Sequence, residues 1–162
     1  MEHPLRWRLA AFVTAVWLVP ALAAPATAGP FTAMSGQWTG GGTLTMQDGA
    51  QDRLRCLASY MVGTGGGSLR LNLRCASDNY RFDLVGSVVD NGGALSGEWS
   101  EASRNARGTL TGRSQGDRID VVARSEVFTA ALSLTTSRNQ QSVTIVPQGT
   151  EVRQVSLTLS KR

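Results

Sequence analysis

Histidine and lysine are almost missing from this chain: His3 and Lys161 are the only residues of their kind. His3 lies in a leader expected to be removed. A mature chain without histidine cannot assemble a Ser-His-Asp or Cys-His catalytic arrangement. Histidine-based metal sites are excluded on the same ground. Cysteine is limited to Cys56 and Cys75. A disulfide between them leaves no thiol for coordination or nucleophilic attack. Aromatic residues make up only 6% of the chain, and none interleaves with the arginines, so a nucleic-acid surface is a poor fit. Neither a sustained apolar repeat at helical spacing nor a glycine-rich phosphate loop opening a helix is present. The acidic residues are scattered: Asp117 and Asp120, like Glu98 and Glu101, differ by an odd number of positions. Alternation therefore puts them on opposite faces. These absences exclude the common catalytic classes, and no cofactor or metal is expected.

One long apolar run exists, and it lies at the start. Arg6 and Arg8 precede Leu9 to Leu22, which is broken only by Thr14 and Pro20. Ala26-Thr27-Ala28 offers an A-x-A cleavage site, with Ala21-Leu22-Ala23 as an alternative. Residues 1–28 read as a secretory signal peptide and 29–162 as one β domain. Nothing after cleavage is apolar for long enough to span a membrane as a helix. A periplasmic or secreted location follows, and an exported chain with two cysteines is expected to oxidise them.

The chain otherwise alternates. Period-two runs followed by Gly, Asn, Asp or Ser predict strands near 36–47, 52–62, 68–76, 79–89, 94–101, 106–114, 118–124, 127–136, 140–147 and 151–160. Gly63-Thr64-Gly65-Gly66-Gly67 lies midway between the cysteines. A turn at Gly65-Gly66 pairs Cys56 with Cys75, Ala58 with Leu73 and Tyr60 with Leu71. The bridge across this hairpin is expected to contribute on the order of 3 kcal/mol and to fix register. Turns at Ser77-Asp78, Asn91-Gly92, Gln115-Gly116 and Arg138-Asn139 predict Arg74 near Arg81, Leu84 opposite Trp99, Leu110 opposite Val121, and Leu134 opposite Val143. Val152 is out of phase with Val155, Leu157 and Leu159, which predicts a bulge near Arg153-Gln154. The fold class is all-β: about ten antiparallel strands in an up-and-down meander, closing into a barrel with one hairpin disulfide.

Alternation does not say which face is inside. Short connections and the lack of an aromatic girdle favour apolar side chains inside; a small outer-membrane barrel is the alternative. Small residues on the apolar face (Gly40, Gly42, Ala58, Gly86, Gly97, Gly108, Gly112, Ala130) leave two readings open. They either bend and pack the barrel or clear a pocket for a small apolar or amphiphilic ligand. Trp38, Tyr60, Tyr80 and Trp99 are the candidate ligand-binding residues, with the tyrosine hydroxyls as hydrogen-bonding groups. On the polar face Arg53, Arg55, Arg70, Arg74 and Arg81 form a candidate patch for an anionic partner. An anionic lipid, a glycan and an acidic protein surface all fit that chemistry. The functional expectation is a non-catalytic binder of a small apolar ligand. The alternative is an envelope interaction module, or an inhibitor of a secreted enzyme, acting through the arginine face.

Gly36-Gln37-Trp38 at the start of the first strand resembles the G-x-W motif of lipocalins and, more loosely, of avidins. These are exported barrels that hold a small molecule in the barrel mouth. The resemblance implies that Trp38 closes one end and that a basic residue near the end of the sequence packs over it. Arg153, Lys161 and Arg162 are the candidates. The T-D-Y signature of lipocalins is absent, and Gly97-Glu98-Trp99 repeats the G-x-W tripeptide. The chain also resembles small exported proteins of Gram-negative bacteria, a likeness that carries no function with it.

Overall fold

The structure, a computed structural model, describes residues 28–162. The proposed signal peptide lies almost wholly outside the described residues. Ten antiparallel strands form one meander: β1 Gly36–Met46, β2 Gln51–Val62, β3 Ser68–Ala76, β4 Arg81–Asn91, β5 Ala94–Glu101, β6 Ala106–Gln115, β7 Arg118–Arg124, β8 Thr129–Ser137, β9 Gln140–Gln148 and β10 Val152–Lys161. Each strand pairs with its sequence neighbours, and β1 pairs with β10 to close the barrel. Closure leaves no unpaired sheet edge.

The alternation turns the apolar side chains inward and the arginines outward, the reverse of a barrel that faces lipid all round. Among the described residues no helix is long and apolar enough to cross a membrane. Cys56 and Cys75 are bridged across the β2–β3 hairpin in the expected register, at a Cα separation of 4.2 Å. Both are buried on the inner face. The β8–β9 register also stands, with Leu134 opposite Val143. The predicted bulge is real: Thr45 pairs with Gln154 and Met46 with Val152, so Arg153 is the extra residue.

Three turns differ from expectation, each by one position. The β4–β5 turn uses Gly92-Gly93, not Asn91-Gly92. Both glycines have positive φ (63° and 93°), and the Gly93 amide donates to the Asp90 carboxylate at 3.0 Å. Trp99 therefore faces Gly86, and Leu84 faces Glu101. At β6–β7 Gln115 pairs with Arg118, which puts Leu110 opposite Ala123 rather than Val121. The β3–β4 connection spans Ser77 to Tyr80, held by the Ser77 hydroxyl accepting from the Asn79 and Tyr80 amides. Arg81 then pairs with Ala76, and Arg74 meets Asp83 instead. Moving a two-residue turn by one position shifts the register by two. The faces are therefore preserved while the partners change.

Several inward glycines act on the backbone. A Cβ at Gly108 would overlap the Arg124 carbonyl oxygen, and one at Gly42 the Ser156 carbonyl oxygen. These strands approach and curl more closely than a side chain allows. Gly86 differs, because a Cβ there would meet only the Glu98 carbonyl at an ordinary 3.7 Å.

Candidate functional site: the barrel interior

One end of the barrel is sealed. A short 3-10 turn, Thr32–Met34, precedes β1 and tucks Phe31 and Met34 beneath the barrel. The Gly29 and Phe31 amides donate to the Gly65 and Gly66 carbonyls, so the β2–β3 turn clamps this plug. Trp38 is 1% exposed, and its indole N–H donates to the Met34 carbonyl at 2.7 Å. Lys161 pairs with Trp38 across β1–β10, and its Nζ sits 5.7 Å from the indole centroid. The same Nζ donates to the Ala33 carbonyl at 3.4 Å. Of the three basic candidates, Lys161 is the one that covers the tryptophan.

Above the plug lies a buried polar chain. Tyr60 packs edge-on against Trp38 and donates its hydroxyl to Gln141 Oε1 at 2.7 Å. Gln141 Nε2 donates to Thr136 Oγ1 at 3.1 Å. Burial pushes the Tyr60 phenol far above its ordinary range, so it stays protonated as a donor. Its hydroxyl, one of the candidate hydrogen-bonding groups, donates to Gln141. Gln141 and Thr136 were not among the candidate residues. Their signal was present: Gln141 is in phase with Val143 and Ile145, and Thr136 with Leu132 and Leu134.

Tyr80 and Trp99 belong to the other end, so the four candidate residues do not converge on one point. Tyr80 is the last residue of the β3–β4 connection, with the Arg104 guanidinium 4.5 Å over its ring. Trp99 donates its N–H to the Thr109 carbonyl at 3.2 Å and packs against Phe128 at 5.5 Å between centroids. Glu101 turns inward beside them. Its carboxylate accepts from the amides of Asp83, Ser103 and Arg104 at 2.8 to 2.9 Å. Burial alone would raise its pKa, but these hydrogen bonds outweigh burial and hold it below the ordinary carboxylate range. It shapes the β5–β6 turn.

The interior is packed unevenly. Inward side chains of β1, β2 and β10, such as Leu44, Leu54, Leu157 and Leu159, are almost fully buried in the main core. A second cluster gathers Trp99, Leu110 and Ala123 on β5, β6 and β7. Between them, Leu84, Val88, Val121, Leu132 and Ile145 point inward yet keep part of their surface exposed. Water therefore reaches an apolar wall formed by β4, β7, β8 and β9. Such a surface is what an apolar ligand covers. Among the described residues no group of three or more His, Cys, Asp or Glu could hold a metal ion.

No family model and no curated protein matches the chain. A solved structure does match. The barrel is similar to the S-type phycobiliprotein lyase CPES from Guillardia theta. The superposition has a TM-score of 0.59 at 12% sequence identity and covers 82% of this chain and 89% of that one. At that identity the likeness shows the fold alone, a closed antiparallel barrel.

The five candidate arginines are all exposed on the outer wall of β2, β3 and β4. Arg74 is ion-paired with Asp83 at 3.0 Å. Arg55, Arg74 and Arg81 border a shallow groove floored by Gly40 and Ala76, with Leu57 beside it.

Proposed function

We propose that the protein is an exported, non-catalytic barrel that binds one small apolar or amphiphilic molecule in its interior. The observation that carries this reading is the set of inward, partly exposed apolar side chains Leu84, Val88, Val121, Leu132 and Ile145. A core that served stability alone would bury them as completely as Leu44 and Leu159 on the other side. Trp99 lies next to this wall, while Trp38 and Tyr60 close the far end. Export is supported by the leader pattern and by the Cys56–Cys75 bridge, which is compatible with an oxidising compartment. The structural neighbour is named as a lyase for phycobiliproteins, so this architecture accommodates more than storage. Binding is favoured here because the buried polar groups are already committed: Glu101 to its turn, Gln141 to Tyr60 and Thr136.

The test is a titration with the apolar fluorophore N-phenyl-1-naphthylamine. Saturable binding at one equivalent, weakened by Val121→Phe or Leu132→Phe, supports the reading. No saturable binding, or binding indifferent to both fillings, overturns it.

A further inference from the structure

The outer wall of β2–β4 combines two features that occur together nowhere else on the described surface. Five large apolar residues are notably exposed in the described chain, and four are here: Leu57 (53%), Met61 (60%), Val85 (41%) and Val89 (48%). The pairing register places them. Leu57 lies level with Arg74 and Asp83, Val85 with Asn72 and Ser59, Met61 with Arg70 and Ser87, and Val89 with Ser68. The apolar side chains thus zigzag between β2 and β4 toward the sealed end, with arginines on the central strand. Arg53, Arg55 and Arg81 continue the wall toward the other end. Among the described residues only Arg74 of the five arginines is ion-paired. The nearby acids are few: Asp83 holds Arg74, Asp52 accepts from Asn79, and Asp78 and Glu98 lie at the margins.

We infer that this wall docks the barrel onto an anionic phospholipid bilayer. Aliphatic tips of Met61, Val89, Val85 and Leu57 enter the interfacial layer. Arg70 lays its stem among them and raises its guanidinium to a phosphate. Arg55 and Arg81, with the groove between them, meet further phosphates in the planar, bidentate manner of guanidinium groups. A second copy of the chain is disfavoured, because a twofold contact through this wall sets arginine against arginine. An acidic protein is a weaker match. The outward positions of these three strands hold no aromatic residue, and aromatic anchors dominate protein interfaces. The wall is also convex, and a fluid bilayer accommodates a curved surface without a shaped counterpart. This inference is independent of what occupies the interior.

The experiment is co-sedimentation of the protein with vesicles of phosphatidylcholine alone and of phosphatidylcholine mixed with phosphatidylglycerol, at low and high salt. The expected result is association with the anionic vesicles only, weakened by salt. The double substitution Arg55→Gln with Arg70→Gln is expected to lower partitioning about 30-fold. Met61→Asn with Val89→Asn is expected to lower it about tenfold. All four side chains point outward, so an unchanged thermal midpoint shows that the variants remain folded. Three results overturn the inference. One is no association with anionic vesicles. Another is association that neither double variant weakens. The last is concentration-dependent dimerisation in sedimentation velocity that the wall variants abolish, which assigns the face to a second copy.

Discussion

Glu101 shows how a buried acid can serve the backbone rather than catalysis. It accepts three amide hydrogen bonds and lies 3.6 Å from the Arg104 guanidinium. Those bonds favour the charged form, so its folded pKa lies below its unfolded value. Its contribution to stability is therefore present above an unfolded carboxylate pKa of about 4.3 and is lost as pH falls through the lowered folded value. Glu101→Gln is expected to cost about 2 kcal/mol at neutral pH. It is also expected to flatten the decline of stability below about pH 4.3. Urea unfolding at a series of pH values checks both. The inward orientation of this residue was legible, since it is in phase with Leu95 and Trp99. Its role was not, because its partners are amides of the β5–β6 turn and of the neighbouring strand β4. Gln141 was hidden for a similar reason. Alternation turns it inward, but its partner Tyr60 is 81 residues away in sequence.

At the scale of strands and turns, the sequence specifies faces better than partners. All ten strands stand within two residues of their predicted limits, because period two survives a small error in a turn. The pairings at β4–β5 and β6–β7 moved because the turn sits where glycines take positive φ (Gly92, Gly93 and Gly116), and that at β3–β4 moved because the Ser77 hydroxyl holds the connection through the Asn79 and Tyr80 amides. In the run Asp90-Asn91-Gly92-Gly93, two adjacent two-residue turns compete on composition alone. The structure places Gly92-Gly93 at the tip, with the Asp90 carboxylate bonded to Gly93. The shift has a packing consequence: Trp99 faces Gly86, and Gly97 faces Val88, so large residues meet small ones. The inward glycines divide accordingly. Gly108→Ala is expected to cost about 3 kcal/mol, since its Cβ would collide with the β7 backbone. Gly86→Ala is expected to change stability by less than about 1 kcal/mol, because its Cβ has room. Urea denaturation of the two variants decides. Equal costs would show that Gly108 does not set the local curvature.

For the molecule as a whole, closure organises everything else. The β1–β10 pairing removes the edges, the plug with Trp38 and Lys161 seals one end, and the disulfide secures β2 to β3. The resemblance to lipocalin barrels was carried by Gly36-Gln37-Trp38, and the tryptophan does occupy the sealed end. The partial exposure inside β4, β7, β8 and β9 was not legible, because alternation says that a residue faces inward and not how completely it is covered. Fit between inner walls depends on strand tilt and curvature, which single-strand patterns do not encode. The two proposed surfaces are built from separate residues: inward Val121 and Leu132 for the ligand, and outward Arg55, Arg70, Met61 and Val89 for the membrane. The central claim is the interior ligand. It is tested most directly by native mass spectrometry of the folded protein released gently from a bacterial host. The account predicts extra non-covalent mass of one small molecule on the folded species, reduced by Val121→Phe. A bare monomer mass for the unsubstituted protein, released and sprayed under the same gentle conditions, would contradict it.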